Sequence, residues 1–330
     1  MARAGDIRVA AALSGGGSKG AFQVGALLEL EKQGVQIDAY AGISTGAVQA
    51  AAGAMGVVGE LAEEWCGIRR NRDVHRKRWF GWMRRARYDA SPLRNRLRRF
   101  AKAHTHKISK PLRVGVVSLQ SGELRVVPLD ALTPSDEVAN WIYASCAIPT
   151  EYDPVDDPFP GGGLTQWVDG GARDVTPLRA AAGFKPRGVL MIRCHPRPAP
   201  PINNARFSRA LAIGRRAIDL LQSEVSLGDL APAEIARDLF DARDEIEKLL
   251  KEGSSPDDLR SMVRDQLMAV AEKNGLVRVL AIGPREIMAA TNEYRPADIE
   301  AMIAAGRRAV ADQLDEIKKF EELCRKETSA

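Results

Sequence analysis

A serine framed by glycines, Gly42-Ile43-Ser44-Thr45-Gly46, is where this 330-residue chain first spells out covalent chemistry. The G-x-S-x-G spacing lets a chain turn sharply out of a strand and lifts the hydroxyl clear of the sheet edge. It also aims the positive end of the following helix at the reacting centre. A serine so placed suits acyl transfer, which needs two further parts: a base for the hydroxyl proton and amide donors for the oxyanion. The run Gly15-Gly16-Gly17-Ser18-Lys19-Gly20 offers the donors. Its glycines free the backbone to turn N–H groups outward, so Gly15, Gly16 and Gly17, joined by Thr45, make up the expected oxyanion hole. Lys19 and Gly20 support it, with Lys19 either orienting the loop or attracting an anionic head group. Asp169-Gly170-Gly171 offers the base. Burial would raise the proton affinity of Asp169 until it can accept from Ser44 without a histidine. Gly170 and Gly171 let the carboxylate sit close, and Gly42 and Gly46 make the serine turn. Taken alone, Asp-Gly is an ordinary turn pair.

Two rival assignments use the same residues. Gly15-x-Gly17-x-x-Gly20 lies between a strand and a helix with Asp38 eighteen residues beyond, the pattern of a dinucleotide-binding Rossmann-type protein. It leaves Ser44 and Asp169 without a purpose. A Walker A loop is excluded, since no Lys-Ser/Thr follows the second glycine. Ser44, Asp169 and His195 occur in the chain order of an α/β-hydrolase triad, but that architecture sets several strands before its elbow, and only 43 residues precede Ser44 here. His75, His104 and His106 fall in a basic segment and read as added partial charge, with no metal site.

The elements that must position these groups follow from apolar spacing. Residues 7–13 read as a strand, 21–33 as a helix stopped by Gly34, 35–41 as a second strand, and 47–55 as an alanine-rich buried helix. Strand, loop, helix, strand, loop, helix is the start of a parallel sheet covered by helices. Residues 112–119 and 123–128 form a hairpin turned at Ser121-Gly122, and 136–145 a short helix. A Pro/Gly-rich loop spans 154–163, Trp167-Val168 ends a strand at Asp169, and 188–194 is a core strand. A proline-rich connector spans 196–201. Amphipathic helices are expected at 206–228, 232–251 and 256–273, a strand at 276–282 returning to the main sheet, and one long helix at 296–323. The whole chain, 1–330, is expected to be a single domain, with a basic insertion at about 69–110 and a helical region at about 200–275.

In combination and order, the glycine loop, Gly42–Gly46 and Asp169–Gly171 resemble the motifs of the patatin-like phospholipase family. Ala144-Ser145-Cys146-Ala147-Ile148-Pro149 is similar to that family's ASxAxP block. The resemblance covers roughly residues 7–195. It implies a three-layer α/β/α sandwich with a mostly parallel central sheet, here with additional C-terminal helices. It further implies hydrolysis of lipid acyl esters, of phospholipase A or lysophospholipase type, by a Ser/Asp dyad with no catalytic histidine, metal or cofactor. The expected substrate is a phospholipid or lysophospholipid.

Two features depart from the family pattern: helices 200–275 carry no recognisable motif, and residues 69–110 are unusually basic. That segment holds sixteen Lys/Arg against Asp73 and Asp89, in a chain of net charge +5, so the remainder is acidic. It is expected to be helical in pieces, with breaks near Gly81 and Ser91-Pro92. With Trp79, Phe80 and Trp82 beside Arg76, Lys77, Arg78, Arg84 and Arg85, it fits an anionic membrane surface better than nucleic acid. A catalytically silent membrane-binding protein on the same fold is the third reading. Four scattered cysteines with no CxxC pair, no secretory signal peptide and no apolar run long enough to span a bilayer point to a cytoplasmic protein, at most peripheral to a membrane. The oligomeric state is left open.

Overall fold

The computed structural model describes residues 7–79, 85–156, 165–196, 277–286 and 292–326. In chain order the strands are β1 (Val9–Leu13), β2 (Ala39–Ile43), β3 (Arg76–Lys77), β4 (Tyr88–Asp89), β5 (Leu112–Ser118), β6 (Leu124–Leu129), β7 (Val155–Asp156), β8 (Gln166–Asp169), β9 (Gly188–Ile192) and β10 (Arg278–Ile282). The helices among these residues are α1 (Gly20–Lys32), α2 (Thr45–Met55), α3 (Val58–Cys66), α4 (Ser91–His104), α5 (Ser135–Cys146), α6 (Leu178–Ala182), α7 (Pro296–Asp312) and α8 (Leu314–Arg325).

Strands β10, β9, β1, β2 and β5 run parallel in that order, and β6 closes antiparallel on β5. Strand β1 is buried at every residue, as expected of a parallel strand covered on both faces. Val9, Ala11 and Leu13 face the larger core, built with Phe22, Leu27 and Leu30 of α1, with α2, α3 and α5, and with α7 and α8. Ala10 and Ala12 face a smaller core under Leu178 and Ala181 of α6. Helices therefore lie on both faces of a mostly parallel sheet, the expected α/β/α layering.

One detail of the sheet brings distant segments together. Strand β6 occupies one edge of β5 along residues 112–117. On the opposite edge, β2 pairs only as far as Ile43 opposite Gly115. Strand β8 then enters antiparallel on that same edge, ending with Asp169 opposite Val116. The end of β2 and the end of β8 thus meet at consecutive positions of β5, although Ser44 and Asp169 are far apart in the chain.

Several expected boundaries move. The second strand is Ala39–Ile43, not 35–41: the chain stays extended through Gly42 and Ile43, and α2 begins at Thr45, directly after the serine. Ser91-Pro92 opens α4 where a break was expected, because proline's fixed φ and missing N–H suit the first helical turn. Residues 69–79 and 85–89 are a short 3-10 turn and the β3–β4 ribbon, not helices. The single helix expected at 296–323 is two, broken at Gln313 (φ −114°, ψ 16°), so that Ile317, Phe320 and Cys324 turn into the core. Strand β10 pairs with β9 in the main sheet as expected. The helices expected at 206–228, 232–251 and 256–273, and Gly81, lie outside the described residues.

Candidate active site

Ser44 is the residue between β2 and α2, held at φ 55° and ψ −131°. A non-glycine residue at positive φ is strained, and such strain persists only where the surroundings enforce it. The enforcement here is close packing. A Cβ on Gly42 would lie 2.2 Å from the Gly46 carbonyl oxygen, and one on Gly46 would lie 2.2 Å from that of Leu13. Only glycines let the turn close on itself and on the end of β1.

Asp169 ends β8 and is 4% exposed. Its carboxylate accepts from the Gly171 amide at 2.7 Å, and its own amide donates to the Ala147 carbonyl at 3.0 Å. Burial raises its pKa to about 7, against hydrogen bonds from the Ser44 hydroxyl and the Gly171 amide that favour the ion. A carboxylate with that proton affinity, facing a serine hydroxyl, can exchange a proton with it near neutral pH.

The glycine loop follows β1 and packs against the elbow. Gly15 corrects the expected oxyanion set: its amide donates to the Val175 carbonyl at 2.9 Å and is committed there. No backbone carbonyl among the described residues accepts from Gly16 or Gly17, and Gly17 takes φ 59°. Gly20 abuts Thr45, since a Cβ there would lie 2.1 Å from Thr45 Oγ1. Two buried glutamines, unremarked in the sequence, fasten the loop. Gln49 Nε2 donates to the Gly20 carbonyl at 3.0 Å, and Gln23 Nε2 donates to the Ser14 and Ile192 carbonyls at 3.0 and 2.8 Å. Lys19 is 8% exposed, with Nζ 3.4 Å from His195 Nδ1, a position that supports loop orientation over head-group capture.

The rival assignments fare badly on geometry. His195 presents Nδ1 to a lysine where a triad needs a carboxylate, and burial together with Lys19 depresses its pKa to about 3. Asp38 precedes β2, at the sheet edge away from the glycine loop. Its carboxylate accepts from the Arg8 and Val9 amides at 2.9 Å each and pairs with Arg325 at 3.4 Å. A ribose-binding acid belongs at the other end of that strand. Among the described residues, no group of His, Cys, Asp and Glu is disposed to hold a metal.

From Ser44, Thr45 and Gly17 an open cleft runs between α3 and α4. Leu61 and Trp65 of α3, Leu93, Leu97 and Phe100 of α4, and Tyr294 make its walls apolar. Arg96 and Glu64, paired at 2.7 Å, are its charged lining. Tyr152 also lines it and meets His75 Nδ1 at 2.7 Å, so His75 is buried in a tyrosine cluster and adds no surface charge. No spacing in the sequence announces Tyr152 or Tyr294.

The basic segment is only partly turned outward. Arg78, Arg85, Arg87, Arg96 and Lys107 pair with Asp153, Asp156, Glu151, Glu64 and Glu60, all acids from outside the segment. Arg98, Arg99 and Lys102, on the outer face of α4, are exposed and have no acidic partner among the described residues. Trp79 is 86% exposed, whereas Phe80, Trp82 and Arg84 lie outside the described residues. No helix among the described residues is long and apolar enough to cross a membrane.

Comparison with known proteins adds the following. The family model described as patatin-like phospholipase matches residues 11–182, which include the glycine loop, the elbow and Asp169. Among solved structures, the chain is similar to VipD from Legionella pneumophila at 13% identity and a TM-score of 0.42, covering 94% of this chain and 67% of that one. No curated protein sequence matches the chain.

Proposed function

Because the chain belongs to the patatin-like phospholipase family, we propose that it is a serine lipid acyl hydrolase, of phospholipase A or lysophospholipase type, with Ser44 as nucleophile and Asp169 as its base. The observation that carries this reading is the meeting of Ser44 with a buried carboxyl of pKa about 7 at the head of an apolar cleft. The acyl chain lies in the cleft, and its ester carbonyl reaches Ser44 Oγ. As Oγ bonds to the carbonyl carbon, its proton passes to Asp169. The oxyanion is held by the Gly16 and Gly17 amides, with Thr45 at the helix N-terminus. Collapse expels the alcohol, which takes the proton from Asp169. Water, deprotonated by Asp169, then attacks the acyl-serine; the bond to Ser44 Oγ breaks, Oγ takes the proton back from Asp169, and the fatty acid is freed.

Arg98, Arg99 and Lys102 support docking on an anionic lipid surface, with α4 presenting cations outward and the cleft wall inward. The chain is read as one domain, since β10 completes the sheet that β1 begins. Fluorophosphonate labelling, with the adduct located by mass spectrometry, tests the assignment. Modification at Ser44, lost in Ser44→Ala together with p-nitrophenyl ester turnover, is expected. Ester turnover with Ser44 unlabelled would overturn it. Vesicle binding with neither labelling nor turnover would mark a catalytically silent membrane-binding protein.

A further inference from the structure

The regular β2–β5 pairing stops at Ile43 opposite Gly115. The next amide, that of Ser44, does not reach the Gly115 carbonyl. It donates instead to Ser145 Oγ at 2.9 Å, and that hydroxyl donates onward to the Gly115 carbonyl at 2.7 Å. A side chain from the last turn of α5 is thereby spliced into the sheet where the chain leaves it for the elbow. Two residues further on, the Ala147 carbonyl accepts the Asp169 amide at 3.0 Å. The exit of β8 rests on the same hub: a Cβ on Gly170 would lie 2.6 Å from the Gly115 carbonyl oxygen. Between these two anchors, Cys146 lines the cleft. Ser145 is wholly buried and touches no part of the cleft, so it acts only through its neighbours.

We propose that Ser145 is a positioning residue that, with the Ala147 carbonyl, sets the distance and angle between Ser44 and Asp169. The inference rests on the dyad assignment and goes beyond it by naming what aligns the dyad. Without the hydroxyl, the Ser44 amide and the Gly115 carbonyl both lose the group that bridges them. The elbow must settle toward β5 or leave both groups unmet. Either response moves Ser44 Oγ relative to a carboxylate held by a separate anchor, and misplacement of a reacting group by about 1 Å costs roughly 100-fold in rate.

The test uses Ser145→Ala and Ser145→Cys, the latter nearly isosteric but a poor hydrogen-bond partner. For each, and for the unmodified protein, one measures the fluorophosphonate labelling rate at Ser44, kcat and KM on p-nitrophenyl butyrate, the pH profile and Tm. Both variants are expected to lose on the order of 10- to 100-fold in labelling rate and kcat, with KM within about twofold. Their acid limb should move to higher pH, because a hydroxyl drawn off Asp169 no longer stabilises the ion. Labelling and kcat within twofold of the unmodified protein in Ser145→Cys would overturn the inference. So would a loss that merely tracks the unfolded fraction with the pH profile unmoved. Failure of the unmodified protein to label at Ser44 would instead remove the dyad assignment beneath it.

Discussion

As the base of the proposed dyad, Asp169 would have to lose a proton that its burial makes it resist losing. Its pKa of about 7 makes kcat/KM on a p-nitrophenyl ester rise with pH to a midpoint near 7, where an ordinary aspartate would give one near 4. The same shift sets a stability cost with the opposite pH dependence. Between about pH 4 and 7 the unfolded chain has ionised this group while the folded chain retains the proton, so stability falls as pH rises through that window. Asp169→Asn is therefore expected to abolish turnover yet melt at a higher temperature than the unmodified protein at pH 8. The gap should close toward pH 4, as thermal melts at the two pH values will show. His195→Ala should keep most Ser44 labelling, since His195 faces Lys19; complete loss would restore the histidine triad. At this scale the sequence was legible at Ser44 and Asp169, whose glycine-framed turns mark them and which the fold brings together. It was silent on Gln23 and Gln49, and it marked Ser145 only as part of the ASxAxP-like block without its task; all three satisfy backbone groups of segments up to 169 residues away. Gly15 was misjudged because a free amide and a committed one look alike until the carbonyl opposite is known.

Helix α4 is amphipathic in an unusual sense, because its inner face borders a cleft as well as the core. Leu93, Leu97 and Phe100 line the apolar cleft, the proposed acyl channel, while Arg98, Arg99 and Lys102 face solvent. The two faces should separate experimentally. Leu97→Trp narrows the channel and is expected to lower kcat/KM for a palmitoyl ester about tenfold relative to a butyryl ester, the scale at which hydrophobic pockets discriminate. Replacing Arg98, Arg99 and Lys102 with glutamate should leave butyryl ester turnover unchanged and weaken sedimentation with phosphatidylserine vesicles, with roughly 1 kcal/mol lost per cation. Equal binding by both proteins would remove α4 as the docking face. The helical periodicity of α4 was readable, but its partners were not. The acids that fasten the segment, from Glu60 to Asp156, lie on both sides of it in sequence, so local charge counting overstated its outward field. Strands β1, β5 and β9 were legible as apolar runs, whereas the β3–β4 ribbon, two residues a strand, carries too little pattern to detect.

The family match ends at residue 182, yet the folding unit does not. Helix α7 packs on α1, the helix that the glycine loop opens, and α8 sets Phe320 and Cys324 against Gly188 at the start of β9. Ile299, Met302, Val310, Ile317 and Phe320 are buried in the same core as Phe22, Leu27 and Leu30. Polar ties run alongside: Arg307 pairs with Glu29 at 3.3 Å, Glu321 accepts the Gln36 amide at 2.8 Å, and Arg325 holds the Gln36 carbonyl at 2.7 Å. Exposed ion pairs contribute little, but five large apolar side chains are together worth on the order of 10 kcal/mol. That is comparable with the whole net stability of a typical domain. A chain cut after residue 195 would keep every motif of the dyad and lose this cover, along with β10 on the sheet edge. It is expected to be insoluble or to lack a cooperative thermal transition, and to label at Ser44 no faster than denatured protein. Size-exclusion chromatography and circular dichroism of the truncated chain decide the point. A monomeric fragment that melts cooperatively and labels at the full-length rate would show that the catalytic half folds alone, and that the C-terminal helices serve some end other than completing the core.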